Sequence, residues 1–412
     1  MDFNDTPEEA EFRARARAWL AENTPKGWRE RMAAGHVQDV IKEWQRTKYD
    51  AGWACLNWPK EYGGQGLSPI QSVIWSQEES KVAPPSAAML VVGLGMTGPM
   101  LMVHGTEEQR RTHLPPMARA DIIWCQLFSE PAGGSDLAAL RTRAVKDGDE
   151  WVVNGQKIWS SGAHQSDWAI LVTRTDPTVP KHKGLTFFIV DMKTPGIEPR
   201  PIKQISGAAH FNEVYLTDVR IPDSNRISEV GNGWNVAMTL LMNERLAVGA
   251  SGGAAGGGVS WDGLFELART LEDEDGPLIN NQAVREKLAD WYVREAGVRN
   301  VNARTISALS RGDTPGPEAS ISKLIQGPQK QNMASYGMDL ADMAGGIADP
   351  NLAVQRAAYP WTLLGSPAGR IAGGTDEIMR NIIAERVLGM PGDIRVDKDL
   401  PFNQIPTGGK AA

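Results

Sequence analysis

The chain changes hydrophobic period twice. Apolar residues recur at helical spacing up to Asp121, crowd into short β-branched and aromatic runs from Ile122, and return to helical spacing after Gly231. Thr6 followed by Glu9 is a capping box that opens an Arg/Ala-rich helix ending near Asn23. His36 to Asp50 and Ser68 to Lys81 read as two more helices, and Thr106 with Gln109 starts another that stops near Met117. Between them Leu56 to Gly66 is a loop by its Gly and Pro content. Glu150-Trp-Val-Val, Trp168 to Val172, Gly184 to Asp191 and Asn212 to Leu216 read as strands with turn residues between them. Too few helices intervene for a parallel α/β sheet, so a small antiparallel barrel or sandwich is expected, ending near Pro222. Gly233 to Val248, Asn281 to Leu309, Pro317 to Met343 and Asp376 to Leu388 carry helical patterning again. The expected fold class is α+β multidomain: an N-terminal all-α domain (1–121), a central antiparallel β domain (122–230), a C-terminal helical bundle (231–390) and a tail (391–412) that wraps a surface or is loose.

Composition narrows the partners. With 412 residues, 41% hydrophobic and 23% charged, the chain is that of a globular protein of two or three domains. A net charge of −7 argues against nucleic acid or an anionic membrane. Cys55 and Cys125 make no metal or redox spacing, the start Met-Asp-Phe-Asn-Asp resembles no signal peptide, and no run is apolar enough to span a membrane. A reduced cytoplasmic setting is the expectation.

Two stretches carry candidate chemistry. Cys125 to Asp136 (C-Q-L-F-S-E-P-A-G-G-S-D) runs from an apolar strand into a loop that offers free N–H groups and hydroxyls. Gly155 to Ala163 (G-Q-K-I-W-S-S-G-A) sets the Trp159 indole beside Ser160 and Ser161, so that a flat ring could stack while a hydroxyl meets its edge. Both also read as ordinary strand ends joined through the hairpin at Asp147 to Glu150.

Other patterns are decoys. Gly93 to Gly98 fits G-x-G-x-x-G but has Pro99 after it and no βαβ unit around it. Gly249 to Gly253 fits G-x-S-x-G, yet the last histidine, His210, precedes it, so the later acid and then histidine that the elbow needs cannot be completed in that order. Six histidines without an H-E-x-x-H pair give no zinc site. The glycine-rich run Gly249 to Gly258 is either a close-packing face or room beside a pocket.

Together with Ala372-Gly-Gly-Thr-Asp-Glu-Ile-Met-Arg380, the two stretches resemble the signatures of the acyl-CoA dehydrogenase family, in order and separation, and the resemblance runs to about Met390. It implies the same helical–β–helical domain order and a flavoenzyme that oxidises acyl-CoA thioesters to trans-2-enoyl-CoA with FAD as hydride acceptor. It also implies that Trp159 flanks the flavin ring and Ser161 lies near its N5. Phe128 and Ser129 would face the pyrimidine edge, and Gly134 and Ser135 would lie near the thioester or the FAD phosphates. Thr375 and Glu377 would contact FAD. Trp159 also fits a core tryptophan, and Thr375 an ordinary helix N-cap. Electron-transferring flavoprotein is the implied electron acceptor.

Two departures from the family are expected to matter. Many members place a glutamate base where this chain has Gly373, whose N–H can still donate to the thioester oxygen. A second family arrangement puts the base in a Glu-Arg-Leu sequence, here Glu244-Arg245-Leu246. Burial would raise the Glu244 pKa and Arg245 would lower it, while a surface Glu–Arg pair is the other reading. The family's Arg-x-x-Phe pair and a glutamine, which reach the neighbouring subunit's FAD, fall at Leu271, Glu274 and Asp342, with Arg269 or Arg285 as possible substitutes. Carboxylates there repel a diphosphate. The expectation is an acyl-CoA dehydrogenase for bulky, branched or steroid/terpenoid-like acyl groups, assembled with a homologous subunit (α2β2) or as a homotetramer. A non-catalytic scaffold subunit and an acyl-CoA oxidase are the alternatives.

Overall fold

The computed structural model describes residues 5–250, 259–310, 316–395 and 397–406. The chain divides into two compact units. The first runs to Ala247 and takes up the chain again from Asp393; the second covers Val248–Gly392 together with Ile205–Gly207.

The first unit opens with helices α1 (Pro7–Asn23), α2 (Trp28–Ala33), α3 (Val37–Asp50), α4 (Pro69–Lys81), α5 (Gly98–His104) and α6 (Glu107–Ala118). Capping boxes start α1 and α6 where Thr6 and Thr106 predict them, and a third, Ser68 with Gln71, starts α4. Phe12, Ala16 and Leu20 recur every four residues and bury one stripe of α1 against Trp44, Ile74 and Trp75. The G-x-G-x-x-G pattern lies in a helical turn leading into α5. A Cβ on Gly98 would stand 2.3 Å from the Trp58 ring, so close packing explains that glycine.

Eight strands follow: β1 (Trp124–Leu127), β2 (Arg143–Asp147), β3 (Glu150–Lys157), β4 (Trp168–Arg174), β5 (Leu185–Asp191), β6 (Ile197–Ile202), β7 (Phe211–Pro222) and β8 (Arg226–Ile227). They form one sheet in the order β6-β7-β3-β2-β4-β5-β8, with β1 added on β4. Most pairings are antiparallel as expected, but β1 and β2 both run parallel to β4. The reason is connectivity: the β2–β3 hairpin is inserted between β1 and β4, so no tight turn joins those two. β4 and β5 read as unbroken apolar runs because both faces are covered. Ile170, Val172, Phe187 and Ile189 face the core shared with Leu101, Leu114 and Met117, while Ala169, Leu171, Phe188 and Val190 face Trp151, Val214 and Ile221.

At the seam between helices and sheet, His113 lies edge-on to Trp124 (5.3 Å) and Trp168 (4.6 Å), and burial pushes its pKa down to about 4. The fold therefore favours the neutral ring. Stability from this group is complete above pH 6.5, its ordinary value, and drains away as the pH falls towards 4. The expected loss is about 3 kcal/mol across that window. Denaturant titrations of the protein and of His113→Phe at several pH values check this: the variant should lose most of the slope.

α7 (Gly233–Ala250) belongs to the first unit as far as Ala247, with Val236, Ala237 and Leu240 in the core. The second unit holds α8 (Trp261–Thr270), a short hairpin of β9 (Glu272–Asp273) and β10 (Gly276–Pro277), α9 (Gln282–Ser310), α10 (Ala319–Leu340), α11 (Ala358–Ile371) and α12 (Asp376–Ile382). Its core joins Leu264, Leu267, Leu288, Trp291, Met333 and Tyr359. Neither α8 nor α11 was expected; α11 carries Pro360 and Pro367, which read as breakers in a local window. The tail lies on the first unit, where the amide of Phe402 donates to Val179 O (2.9 Å) and that of Asn403 to Pro177 O (3.0 Å).

Candidate functional site

The two signature stretches meet at their strand ends. The Ile158 amide, just past β3, donates to Ser129 O just past β1 at 2.8 Å. This joins Phe128 and Ser129 to Trp159 and Ser161. Beneath the junction lies an ion pair that the sequence reading did not single out. Lys157, fully buried, donates to Phe128 O (3.0 Å) and to Glu130 Oε1 (2.9 Å). Glu130 also accepts from the amides of Arg141 (2.6 Å) and Thr142 (2.9 Å). Burial alone would raise the Glu130 carboxyl, but the Lys157 charge and these donors outweigh it and hold it below its ordinary range. Burial pushes the Lys157 ammonium down, and Glu130 opposes that shift. Nothing in the sequence marks it: β3 reads E-W-V-V-N-G-Q-K, and Lys157 follows the polar Asn154 and Gln156. Glu130 and Gly133 then exchange amide hydrogen bonds of 2.9 and 3.0 Å in a tight turn, beyond which Gly134 and Ser135 are exposed.

Trp159 is no core residue. Its side chain is 56% exposed, edge-on to Phe211 (6.0 Å), and its backbone sits at φ 60°, a left-handed conformation unfavourable for a bulky side chain. The following residues are clamped. Ser160 and Asn212 exchange amide hydrogen bonds of 3.1 Å, the Asn212 side chain donates to Ser160 O (2.9 Å), and the Gly162 amide donates to His210 O (2.8 Å). A strained, exposed indole held on a fixed loop next to exposed Ser161 and half-buried Ser129 suits a flat heterocycle with polar edges. The buried hydroxyl of Ser160 has no partner among the described residues, which leaves one more polar group at this junction. The residues present thus fit a flavin.

Glu244 lies on α7 one turn past Leu240, on the same stripe as Val236, Ala237 and Leu240, and is half-buried. The side chain of Arg245, and with it the Glu–Arg pairing, lies outside the described residues, as does the glycine-rich run from Ser251 to Gly258. Among the described residues no group of His, Cys, Asp and Glu could hold a metal, and no helix is long and apolar enough to cross a membrane.

In the second unit, Gly373 (φ 67°) and Gly374 (φ 97°) make a left-handed turn between α11 and α12 that glycine adopts at little cost. The Lys323 ammonium donates to Gly374 O. Thr375 does cap α12, accepting from the Ile378 amide at 3.2 Å. Buried Asp376 accepts from Arg370 (2.8 Å), which also donates to Gln331 (3.0 Å). Glu377 is exposed, and its own amide and the Thr375 hydroxyl hold its pKa down. Gly373, Thr375 and Glu377 therefore share one turn. Elsewhere in this unit Glu274 tops the β9–β10 hairpin, exposed with Glu272, Asp273 and Asp275, and Asp342 is exposed at φ 48°. Arg269 is paired along α8 with Glu266 (3.3 Å).

Three family models match the chain: the N-terminal domain of acyl-CoA dehydrogenase over residues 6–121, the middle domain over 125–219 and the C-terminal domain over 231–388. Acyl-CoA dehydrogenase IpdE1 of Mycobacterium tuberculosis is 36% identical over 93% of this chain and 98% of its own length. Acyl-CoA dehydrogenase FadE34 of the same organism is 39% identical over 83% of this chain, which spans only 45% of that longer protein. Among solved structures, the Tcur3481-Tcur3483 steroid ACAD is 31% identical with a TM-score of 0.81, covering 95% of this chain and 100% of its own. The ChsE4-ChsE5 complex from Mycobacterium tuberculosis is 30% identical with a TM-score of 0.79, at the same coverage.

Proposed function

Since the chain belongs to the acyl-CoA dehydrogenase family, we propose that it converts a bulky, branched or steroid/terpenoid-like acyl-CoA to the trans-2-enoyl-CoA, with Glu244 as the base. The observation that carries this is a half-buried carboxylate on the core-facing stripe of α7, in a chain whose C-terminal turn has glycine at 373. A carboxylate partly withdrawn from water is a better proton acceptor than one in solution. Its task is to take the α-proton of the thioester. The Gly373 amide is the assigned donor to the thioester oxygen, where negative charge grows as that proton leaves.

FAD is the cofactor of this family, and when bound it supplies the acceptor for the hydride of the β-carbon. Trp159 offers it a flat face. Ser129 and Ser161 offer hydroxyls to its edge, the Phe128–Ser129 backbone borders its polar rim, and Gly134 and Ser135 offer amides to phosphate or thioester. Thr375 and Glu377 are also assigned to FAD. Arg245, the next residue in the sequence, is assigned the role of tuning the charge of the base. Electron-transferring flavoprotein is the assigned electron acceptor.

A different, homologous subunit completes the enzyme in this reading. Its support is the exposed acidic hairpin of Glu272, Asp273, Glu274 and Asp275, with Asp342, at positions where a neighbour's FAD diphosphate calls for cations. Two similar solved structures, the Tcur3481-Tcur3483 steroid ACAD and the ChsE4-ChsE5 complex, each pair two differently named chains. The substrate class is supported by the steroid ACAD among them and by the missing side chain at Gly373, which leaves room beside the thioester.

The test uses the chain purified alone and co-expressed with a related partner, assayed with an artificial acceptor on straight, branched and polycyclic CoA thioesters. Alone, the chain should retain little flavin; the complex should be yellow and have its highest kcat/KM on polycyclic or branched substrates. One FAD per chain in an active homotetramer removes the partner. A peak on a straight eight-carbon chain removes the substrate class. Stoichiometric peroxide during turnover moves the enzyme to the oxidases.

A further inference from the structure

The loop from Glu130 to Asp136 is secured at its start by the buried Lys157–Glu130 pair, but its far half is exposed and rich in small residues, so it cannot fix its own shape. Its far end is fixed through two cations. Lys181 donates to Asp136 at 2.7 Å and to Asp397 of the tail at 2.6 Å. Lys181 is itself buried, although Asp136 is exposed. Arg174, buried at the end of β4, donates to the carbonyls of Ala138 and Leu140 directly after the loop, and to Lys181 O. The Phe402 ring of the tail covers that guanidinium, 3.6 Å from its carbon to the ring centroid. The tail is tied down independently by the hydrogen bonds from the amides of Phe402 and Asn403 to Val179 O and Pro177 O, the first of which belongs to an antiparallel β-bridge centred on Pro180 and Pro401. The tail thus contributes one carboxylate and one aromatic lid, each on a cation that holds the loop.

We propose that the C-terminal segment from Asp397 to Gln404 is a strap that sets the shape of the Glu130–Asp136 loop, with Lys181 and Arg174 as positioning residues. The physical reason is the state of the two cations without it. An ammonium shared between two carboxylates in a partly buried place is ordered, whereas a single exposed Lys–Asp pair is worth little and exchanges with water. Likewise, a guanidinium with one face open to solvent competes for water with its three carbonyl acceptors. Because Gly134 and Ser135 are the loop residues assigned to phosphate or thioester, the strap acts on ligand affinity; that consequence rests on the functional reading above.

The experiment compares the flavin-loaded enzyme, with its partner subunit if one is required, with a chain ending at Arg395 and with the double variant Asp397→Asn/Phe402→Ala. Amide exchange over residues 131–139, KM for the preferred acyl-CoA, Kd for FAD and kcat are all measured. Exchange should quicken, and KM or Kd should rise about tenfold, the scale of one lost charge-assisted hydrogen bond, while kcat stays within about twofold. The conservative variant Asp397→Glu should behave as the parent. Unchanged exchange over 131–139 in both the truncated and the double-variant enzymes overturns the strap, even if the thermal midpoint falls. Faster exchange with unchanged KM and Kd upholds the strap and removes Gly134 and Ser135 from the ligand site instead.

Discussion

Glu244→Gln should lower kcat by about a thousandfold, in the middle of the range for loss of a general base, while flavin content and the thermal midpoint stay near those of the parent. The substitution keeps the size and polarity of the side chain and removes only its ability to accept a proton. Glu244 stands on the buried stripe of α7 but is half-buried, so an amide there leaves the core of Val236, Ala237 and Leu240 intact. The measurement is single-turnover reduction of the flavin by the preferred acyl-CoA, which isolates the step containing α-proton removal from reoxidation. KM should move little, because the carboxylate acts on the reacting carbon rather than on the bulk of the substrate. A bleaching rate within tenfold of the parent's would show that another group is the base.

Lys157→Met should destabilise the first unit by about 3–5 kcal/mol, the cost of stranding one member of a buried ion pair. Methionine fills most of the space of the lysine stem, so the cost is electrostatic rather than a cavity. Glu130 keeps its two amide donors from Arg141 and Thr142 but loses the ammonium, and Phe128 O loses its donor. The carboxylate in the parent is held below its ordinary pKa, mainly against burial by the Lys157 charge. In the variant burial wins and the carboxyl titrates higher. The penalty should therefore be full near neutral pH and shrink as the pH falls into the carboxylate range. Glu130→Gln in the Lys157→Met background should recover part of the loss, so that the double-mutant cycle returns a large coupling. Urea titrations of the four proteins at two pH values measure all of this. A Lys157→Met cost below about 1 kcal/mol would reduce the pair to the status of a surface contact.

Much of the fold was legible because it rests on short-range chemistry. The boxes at Thr6 and Thr106 are hydrogen bonds between residues three apart, so a four-residue window contains the whole cause. β4 and β5 were visible because both of their faces are covered, which leaves continuous apolar runs. The signature stretches and the alternative base were read from residue order, since a motif keeps its spacing along the chain.

What the tertiary structure alone decided depends on residues far apart. A local window favours breaking a helix at Pro360 or Pro367, yet α11 forms and packs Tyr359 over Gly337, where any Cβ would stand 2.2 Å from the ring. Nothing near Trp159 in sequence says whether its indole is core or surface; the clamp from Asn212 and His210 presents it outward. Lys157 and Glu130 are 27 residues apart, and Lys181 and Asp397 are 216 apart. Such pairs exist only once the sheet has placed one strand end beside another and the tail has returned to it. Their strength comes from the exclusion of water, which no single segment can provide: the sequence determines which charges are available, and the packed fold determines which of them lose their solvent and must find each other.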